Sequence, residues 1–200
     1  MDYVIADTHF DHANIIEYCD RPFESVEEMN DRLVENWNRV VDPSDEVLFV
    51  GDLTIAGTAS AFLTWISELN GEIVFVVGDH DTEVLTTLDD VSVCEYFRTE
   101  HDGHDFYAVH DPAEAPRNWG QWLLHGHHHN NWPGKFPFVN HRGGVVNVSV
   151  ELIGYEPLAF DALVRYLERG EWIPSVDAVA AGEGPADGAG DNASGDSGDP

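Results

Sequence analysis

Short runs of large apolar residues recur along the chain, and each run is followed by aspartate or histidine within a residue or two. The runs cover residues 3–6, 47–50, 73–77, 106–109 and 122–124. Continuous apolar runs of this length predict strands that are buried on both faces. Polar residues that follow parallel strands meet at the carboxyl edge of a sheet, so the pattern predicts one shared site.

Apolar residues at helical spacing predict helices between the first strands, at residues 25–41 with Ser25 as the cap and at residues 59–69. The alternation of strand and helix predicts parallel neighbours with right-handed crossovers. From residue 91 onward the strands 91–93, 106–109, 122–124 and 145–152 are separated by loops, which predicts a second sheet packed on the first. Asp161 is expected to cap a last helix that ends near residue 168. Residues 10–23 are expected to form an irregular loop with a short helical turn.

The length of 200 residues leaves room for one domain, which we expect at residues 1–173. Residues 174–200 are expected to be a disordered acidic tail, because Gly, Ala and Asp dominate them. No apolar run approaches the roughly 20 residues that cross a bilayer, and no leader precedes the first strand. We therefore expect a cytoplasmic protein without a membrane partner. The spacing of Cys19 and Cys94 predicts free thiols.

Acidic residues outnumber basic residues by 38 to 9, which gives a formal net charge of −29. Such a surface repels phosphate backbones and anionic lipids, so a nucleic-acid partner is not expected except at high salt. The composition resembles that of cytoplasmic proteins from halophilic archaea, in which about 1 M salt shortens the Debye length to roughly 3 Å. An unusually acidic mesophilic protein is the alternative interpretation.

Five motifs follow the predicted strands in order, namely Asp7-x-His9, Gly51-Asp52, Gly78-x-His80-Asp81, His110 and Gly126-His127-x-His129. Their order and spacing resemble those of the calcineurin-like metallophosphoesterases. The resemblance implies an α/β fold, a four-layer α/β/β/α sandwich of two mixed sheets flanked by helices, with two metal ions between the strand ends. It also implies that one ion is held by Asp7, His9, Asp52 and His129, and the second by Asp52, Asp79, His110 and His127.

Imidazole and carboxylate ligands without thiolate favour manganese, with iron, nickel, cobalt or zinc as alternatives. Two divalent ions about 3.5–4 Å apart would polarise a phosphate ester and provide a bridging hydroxide that attacks phosphorus. The resemblance implies that His80 is catalytic, as the group that protonates the leaving oxygen or steadies the transition state, and that Asp81 holds its other nitrogen. The family has Asn at the position of Asp79. The additional negative charge predicts tighter binding of the second ion and a higher pKa of the bridging water.

The sequence thus predicts a metal-dependent hydrolase of small phosphate esters, with diesters slightly favoured over monoesters. A non-catalytic metal-binding scaffold and a nuclease are the alternatives, and the oligomeric state is not predicted. Arg21 is expected to form a salt bridge or to lie on the surface rather than to bind phosphate. Trp132, Phe136 and Phe138 could stack on substrate or cover the core. Structural or supporting roles are expected for the histidines outside the motifs, His12, His101, His104, His125, His128 and His141.

Overall fold

The first sheet contains the strands predicted in the first half of the chain. In the computed structural model, which describes residues 1–81 and 91–181, the strand order is β10-β1-β2-β3-β4. Strands β1 to β4 are parallel, as predicted for the first three, and β10 lies antiparallel beside β1. The strands are β1 (Tyr3–Ile5), β2 (Glu46–Val50), β3 (Glu72–Val76), β4 (Ser92–Cys94) and β10 (Leu158–Ala159).

The second sheet has the order β5-β6-β7-β9-β8. Its three central strands β6, β7 and β9 are parallel, while the edge strands β5 and β8 are antiparallel to their neighbours. Both sheets are therefore mixed, and the predicted α/β sandwich of two mixed sheets is confirmed. The strands are β5 (Phe97–His101), β6 (His104–Ala108), β7 (Trp122–His125), β8 (Val139–Asn140) and β9 (Val145–Asn147).

The two predicted crossover helices pack on the first sheet. Helix α2 begins after Ser25, whose hydroxyl accepts the N–H of Glu28 at 3.2 Å, as the capping pattern predicted. Its Trp37 ring lies 6.2 Å from that of Phe49 on β2. The helices are α1 (Ala13–Tyr18), α2 (Val26–Val40), α3 (Ala59–Glu68), α4 (Val150–Ile153), α5 (Phe160–Leu167) and α6 (Val176–Ala181), with a 3-10 helix at Pro112–Glu114.

One main apolar core joins the two sheets. Phe49 and Phe75 of the first sheet and Phe106 of the second belong to the same buried cluster, together with Phe160 of α5. A smaller cluster of Tyr107, Val109 and Leu123 is separate from the main core. Because β1, β2, β6 and β7 are buried up to their carboxyl ends, the residues that follow these strands start from a rigid frame.

Three sequence predictions of secondary structure need correction. Residues 91–93 were expected in the second sheet, but β4 pairs in parallel with β3 in the first. The strand predicted at 145–152 ends at Asn147, and the chain turns into α4 after Ser149 forms an isolated bridge with Ala6 of the other sheet. Residues 10–23 contain the six-residue helix α1 rather than a single turn.

The cap and tail predictions also differ from the structure. The N-cap of α5 is Ala159, and Asp161 lies in the first turn, where its carboxylate is 2.6 Å from Nε2 of His101. The folded region continues past residue 173, because α6 packs Val176 and Val179 against the core. The rest of the predicted tail, residues 182–200, lies outside the described residues. Among the helices that the structure describes, none has the length and apolar character that crossing a membrane requires.

Candidate metal centre

The residues predicted as metal ligands follow five strand ends, and the structure brings all seven together. Several overlapping groups of candidate ligand atoms form among the described residues, in each of which the atoms lie within 4.8 Å of one another, and two of these groups share no residue. We call Asp7, His9 and His129 the first cluster, and Asp79, His110 and His127 the second cluster. These groups match the division between two ions that the family resemblance implies.

Asp52 lies between the two clusters. Its Oδ2 is 3.5 Å from Nε2 of His9 in the first cluster and 3.3 Å from Nε2 of His110 in the second. The residue is only 3 % exposed. One carboxylate between two ligand sets is the arrangement that a residue shared by two ions requires.

Two buried nitrogen atoms of the site lack hydrogen-bond partners. They are Nε2 of His9 and Nε2 of His110. A buried polar atom without a partner costs about 1–3 kcal/mol, so such atoms need an explanation. Burial lowers the pKa of His9 well below its ordinary value, which leaves its imidazole neutral and able to donate a lone pair to a metal. The residues of both clusters therefore fit divalent metal ions.

Hydrogen bonds to the opposite ring nitrogens orient two of these histidines. Nδ1 of His110 donates to the carbonyl oxygen of Val50 at 2.8 Å, and Nδ1 of His129 donates to Oε1 of Glu151 at 3.0 Å. Both partners accept, so Nδ1 carries the hydrogen in each ring and Nε2 is the atom available for coordination. Metal-ligating histidines almost always have such an acceptor behind them.

A buried ion pair supports the first cluster from behind. Arg21 donates through Nε and Nη2 to Oε1 of Glu151 at 2.9 and 2.7 Å, and also to the carbonyl oxygens of Asp7 and Thr8. Burial alone would raise the pKa of Glu151, but Arg21 and His129 hold it at about 2. Of the two roles expected for Arg21, the salt bridge is the one observed. Glu151 was not among the predicted site residues, although its signal in the sequence is a carboxylate in an otherwise apolar segment.

Two more residues near Glu151 hold the first cluster and were also missed. The Ser149 hydroxyl donates to Oδ2 of Asp7 at 2.6 Å, and the Asn147 amide donates to the carbonyl oxygen of His129 at 2.9 Å. Both residues are fully buried. In the sequence, Asn147 and Ser149 alternate with valines. Such alternation predicts a strand with one face in solvent, but in the structure these two polar side chains contact residues of the first cluster.

The charges of the site favour bound cations. Burial alone would lower the pKa values of His110 and His129, but nearby carboxylates raise both. Asp52 and Asp7 raise the pKa of His110 to about 10, and Asp7 and Glu151 raise the pKa of His129 to about 11. Burial alone would raise the pKa of Asp52, but the adjacent His110, whose Nε2 lies 3.3 Å from Oδ2 of Asp52, lowers it well below its ordinary value. Without a metal, protons on these two histidines thus compensate the carboxylates. Metal ions would replace those protons.

The structure separates the roles expected for His80 and Asp81. The His80 side chain is 44 % exposed at the mouth of the site, and its Nε2 lies 4.0 Å from Oδ2 of Asp52. Asp81 was expected to hold His80, but its oxygens accept the backbone N–H groups of Asp52, Leu53 and Gly78 at 2.7, 3.2 and 3.1 Å. That expectation is wrong. Asp81 instead ties the chain after β3 to the chain after β2.

The backbone at the site is unusual. Asp7, His9, Asp52, His127 and His129 all have left-handed backbone conformations, with φ between 48° and 67°. Such conformations are uncommon outside glycine and are several-fold enriched for Asp and His. They turn each side chain back toward the strand ends, so they determine where the ligand atoms lie.

Glycines next to the ligands allow the loops to approach one another. A Cβ atom at Gly78 would lie 2.3 Å from Oδ1 of Asp52, and one at Gly126 would lie 2.4 Å from Oδ2 of Asp7. Neither position has room for a side chain unless the carboxylate of Asp52 or Asp7 moves. The glycines of these two motifs therefore have a steric role in forming the site.

Of the histidines outside the motifs, His125 and His141 have the contacts expected of structural groups, whereas the His12 ring lies beside the site, with its centroid 5.3 Å from that of His9 and 6.4 Å from that of His80. His125 is fully buried with Nδ1 2.7 Å from the carbonyl oxygen of Gly126, and burial lowers its pKa to about 3. His141 packs on Trp122. Phe138 belongs to the core, whereas Trp132 is 56 % exposed and stacks on His128.

Comparisons with known proteins give relatives without an assigned activity. No protein-family profile matches the chain. The chain is 42 % identical over 178 residues to the uncharacterized protein MJ1445 of Methanocaldococcus jannaschii, covering 88 % of this chain and 96 % of that protein. The crystal structure of AQ665, a protein of unknown function from Aquifex aeolicus, matches 82 % of this chain and 97 % of its own at a TM-score of 0.62 and 24 % identity. This second match supports the fold alone.

Two more distant structural matches add no argument. A novel archaeal phosphodiesterase matches at a TM-score of 0.41 and 12 % identity, over 74 % of this chain and 81 % of its own. Vps29 of Chaetomium thermophilum matches at a TM-score of 0.33 and 13 % identity, over 62 % of this chain and 59 % of its own. The function must therefore be argued from the residues of the site.

Proposed function

Because the chain belongs to the same family as the uncharacterized protein MJ1445, whose name gives no activity, we propose a function from the site itself. The protein is a metal-dependent hydrolase of phosphate esters that uses a centre of two divalent ions. Diesters are slightly favoured over monoesters, as in the prediction from sequence.

One observation carries this proposal. Two clusters of carboxylate and imidazole ligands share Asp52 between them, and two buried histidine nitrogens at the same place lack hydrogen-bond partners. A structural site for one ion would need about four ligands. Seven candidate ligands, six of them around the shared Asp52 carboxylate, support a pair of ions instead.

The residues of each cluster would have distinct tasks. Asp7, His9 and His129 would hold one ion, Asp79, His110 and His127 the other, and Asp52 both. Two divalent ions at such a centre supply positive charge for the phosphoryl oxygens and lower the pKa of a coordinated water. Nitrogen and oxygen ligands without thiolate favour manganese, with iron, nickel, cobalt or zinc as alternatives.

His80 is the proposed proton donor to the leaving oxygen. Its backbone N–H donates to Oδ1 of Asp52 at 3.0 Å, so the residue is anchored beside the shared carboxylate while its ring remains accessible. An exposed imidazole at the mouth of the site can reach the oxygen of a bound ester and can donate a proton to it. Asp81 acts on this group only indirectly, through the backbone between β3 and His80.

Turnover of chromogenic esters by the metal-depleted protein, with each candidate metal added back, tests the proposal. We expect hydrolysis of bis(p-nitrophenyl) phosphate or p-nitrophenyl phosphate only in the presence of metal. His80→Ala should lower the rate by about 100-fold, within the usual contribution of a general acid. The matched control is His141→Ala, which removes an exposed histidine that lies outside the five motifs and should leave the rate unchanged.

Two other results would overturn the proposal in different ways. Two ions bound per chain without hydrolysis of any ester would favour the metal-binding scaffold. Cleavage of single- or double-stranded DNA at rates above those of small diesters would favour a nuclease. The net charge of −29 argues against the second result, because it repels a polyanion.

A further inference from the structure

A groove opens beside the second cluster. It has a volume of about 470 Å³ and includes Asp79 and His110 among its lining residues. Ligand pockets for small organic groups start at about 300 Å³, so the groove can hold a group of nucleoside size. Because the groove begins at two candidate metal ligands, a group bound in it would be continuous with a phosphate at the metal centre.

His110 connects the groove to the chemistry. This residue is 2 % exposed and lines the groove, and its Nε2 lacks a hydrogen-bond partner. His110 is therefore common to the groove and to the second cluster. The groove is therefore an extension of the metal centre, and not a separate depression in the surface.

Two tyrosines form an aromatic surface in the groove. Tyr96 stacks on Tyr107 with ring centroids 5.2 Å apart and planes 10° apart. Tyr107 is 6 % exposed and fixed in the smaller apolar cluster, whereas Tyr96 is 52 % exposed. The guanidinium of Arg98 lies 5.0 Å from the centroid of the Tyr107 ring. A supported tyrosine with an accessible ring is suited to stack on a planar group such as a nucleobase.

Four carboxylates also line the groove, and its described lining includes neither lysine nor arginine. The four acidic residues are Asp79, Glu95, Asp111 and Glu114. Carboxylates accept hydrogen bonds from hydroxyl and amino groups, as found on a sugar or a base. They repel a second phosphate. The groove thus combines an aromatic surface with a negative potential.

We propose that this groove binds the organic group of the phosphate ester, that this group carries a ring and no second phosphate, and that a nucleoside is its biological form. Tyr96, Glu95 and Glu114 then determine specificity. Tyr96 selects for the ring, and the two glutamates select against a further anionic group. This inference rests on the proposed phosphoesterase function and adds the class of substrate.

Three diesters that release the same p-nitrophenolate test the inference. They are the p-nitrophenyl ester of thymidine 5′-phosphate, the same compound with an additional 3′-phosphate, and methyl p-nitrophenyl phosphate. We expect kcat/KM to be highest for the first compound. Tyr96→Ala should lower the ratio of kcat/KM for the thymidine ester to that for the methyl ester by about tenfold, as expected for loss of base stacking. Tyr96→Phe should retain most of this ratio.

The charge part of the inference has its own variant. Both Glu95 and Glu114 are replaced by Gln. The ratio of kcat/KM for the 3′-phosphorylated ester to that for the unphosphorylated ester should then rise by about threefold or more at low ionic strength, and by less at high salt. The control is Glu68→Gln combined with Glu72→Gln, which makes the same change of charge at two exposed positions that do not line the groove.

The outcomes separate this inference from the proposed function. If metal-dependent hydrolysis occurs but neither variant changes the ratios, the groove does not bind the organic group. If no ester is hydrolysed with any metal, the proposed function fails. Calorimetry with thymidine 5′-phosphate and thymidine 3′,5′-bisphosphate then tests the groove without turnover, and equal affinity for the two would overturn the inference.

Discussion

Replacing Gly126 by Ala should damage the metal centre while leaving the fold intact. A Cβ atom at this position would lie 2.4 Å from Oδ2 of Asp7 and 2.9 Å from Cβ of Ala6. The Asp7 carboxylate cannot simply rotate away, because Ser149 donates to the same oxygen at 2.6 Å and the N–H of His127 lies 3.1 Å from it. The methyl group therefore has to displace either a ligand carboxylate or the loop that carries His127 and His129.

The size of the effect follows from the distance. Ordinary contact begins near 3.4 Å, so the methyl group and the carboxylate must separate by about 1 Å. A displacement of 1 Å at a reacting centre can lower the rate by about 100-fold. Overpacking of this kind costs about 1–3 kcal/mol of stability. That cost is less than the 5–15 kcal/mol typical of native domains, so we expect a folded variant with weakened metal binding.

The assay compares Gly126→Ala with Gly134→Ala. A Cβ atom at Gly134 would meet no atom within 4 Å, so this control makes the same change without a clash. Metal affinity is measured by calorimetry, the bound ions by mass spectrometry after dialysis, and folding by circular dichroism. If Gly126→Ala binds two ions as tightly as the control and hydrolyses esters at the same rate, Asp7 is not a ligand and the proposed centre is refuted.

Three further outcomes are expected. Arg21→Met leaves the buried Glu151 carboxylate with His129 as its remaining charged partner and should lower the free energy of unfolding by about 3–5 kcal/mol in urea denaturation. A loss below about 1 kcal/mol would contradict a stabilising role of the buried pair. The pKa values of His110 and His129 are raised to about 10 and about 11, so both residues are protonated at pH 7 without metal. Metal affinity should therefore rise with pH. Calorimetry in different buffers should detect about two protons released per chain when metal binds. Unchanged heats in all buffers would contradict this. Asp79→Asn should weaken binding of the second ion and shift the rate–pH profile to lower pH; a profile that coincides with that of the unmodified protein would exclude the proposed effect of this charge.

The sequence contained most of the information on the strands that carry the ligands. Apolar runs end directly before Asp7 and His110 and one residue before Asp52, and the burial of these runs follows from their composition alone. The hairpin of β5 and β6 was missed, although Asp102-Gly103 between them is a turn signal, with φ of 47° and 77° at the two residues. It was missed because polar residues alternate through β5, which lacks a continuous apolar run.

Residues that support the ligands could not be found from spacing. Glu151 is 130 positions from Arg21 and 22 from His129, and only the packing of α4 behind the first cluster brings the three together. Asp81 illustrates the opposite error. Its place next to His80 suggested a contact between the two side chains, but neighbouring side chains point in different directions at a turn, and backbone donors from the end of β2 take up its oxygens.

The left-handed backbone at five of the proposed ligands links the fold to the chemistry. Each such residue costs on the order of 1–3 kcal/mol, and the buried strands on both sides hold these conformations in place. Asp and His reach the left-handed region more readily than most other residues, and they are also good metal ligands. The same residue types are therefore suited both to metal coordination and to the left-handed backbone conformation. For this reason a sequence pattern interpreted as metal ligands does not reveal the backbone requirement. Metal ions that bind only the folded site would offset part of this strain by mass action, so metal binding and folding stability should be coupled in this protein.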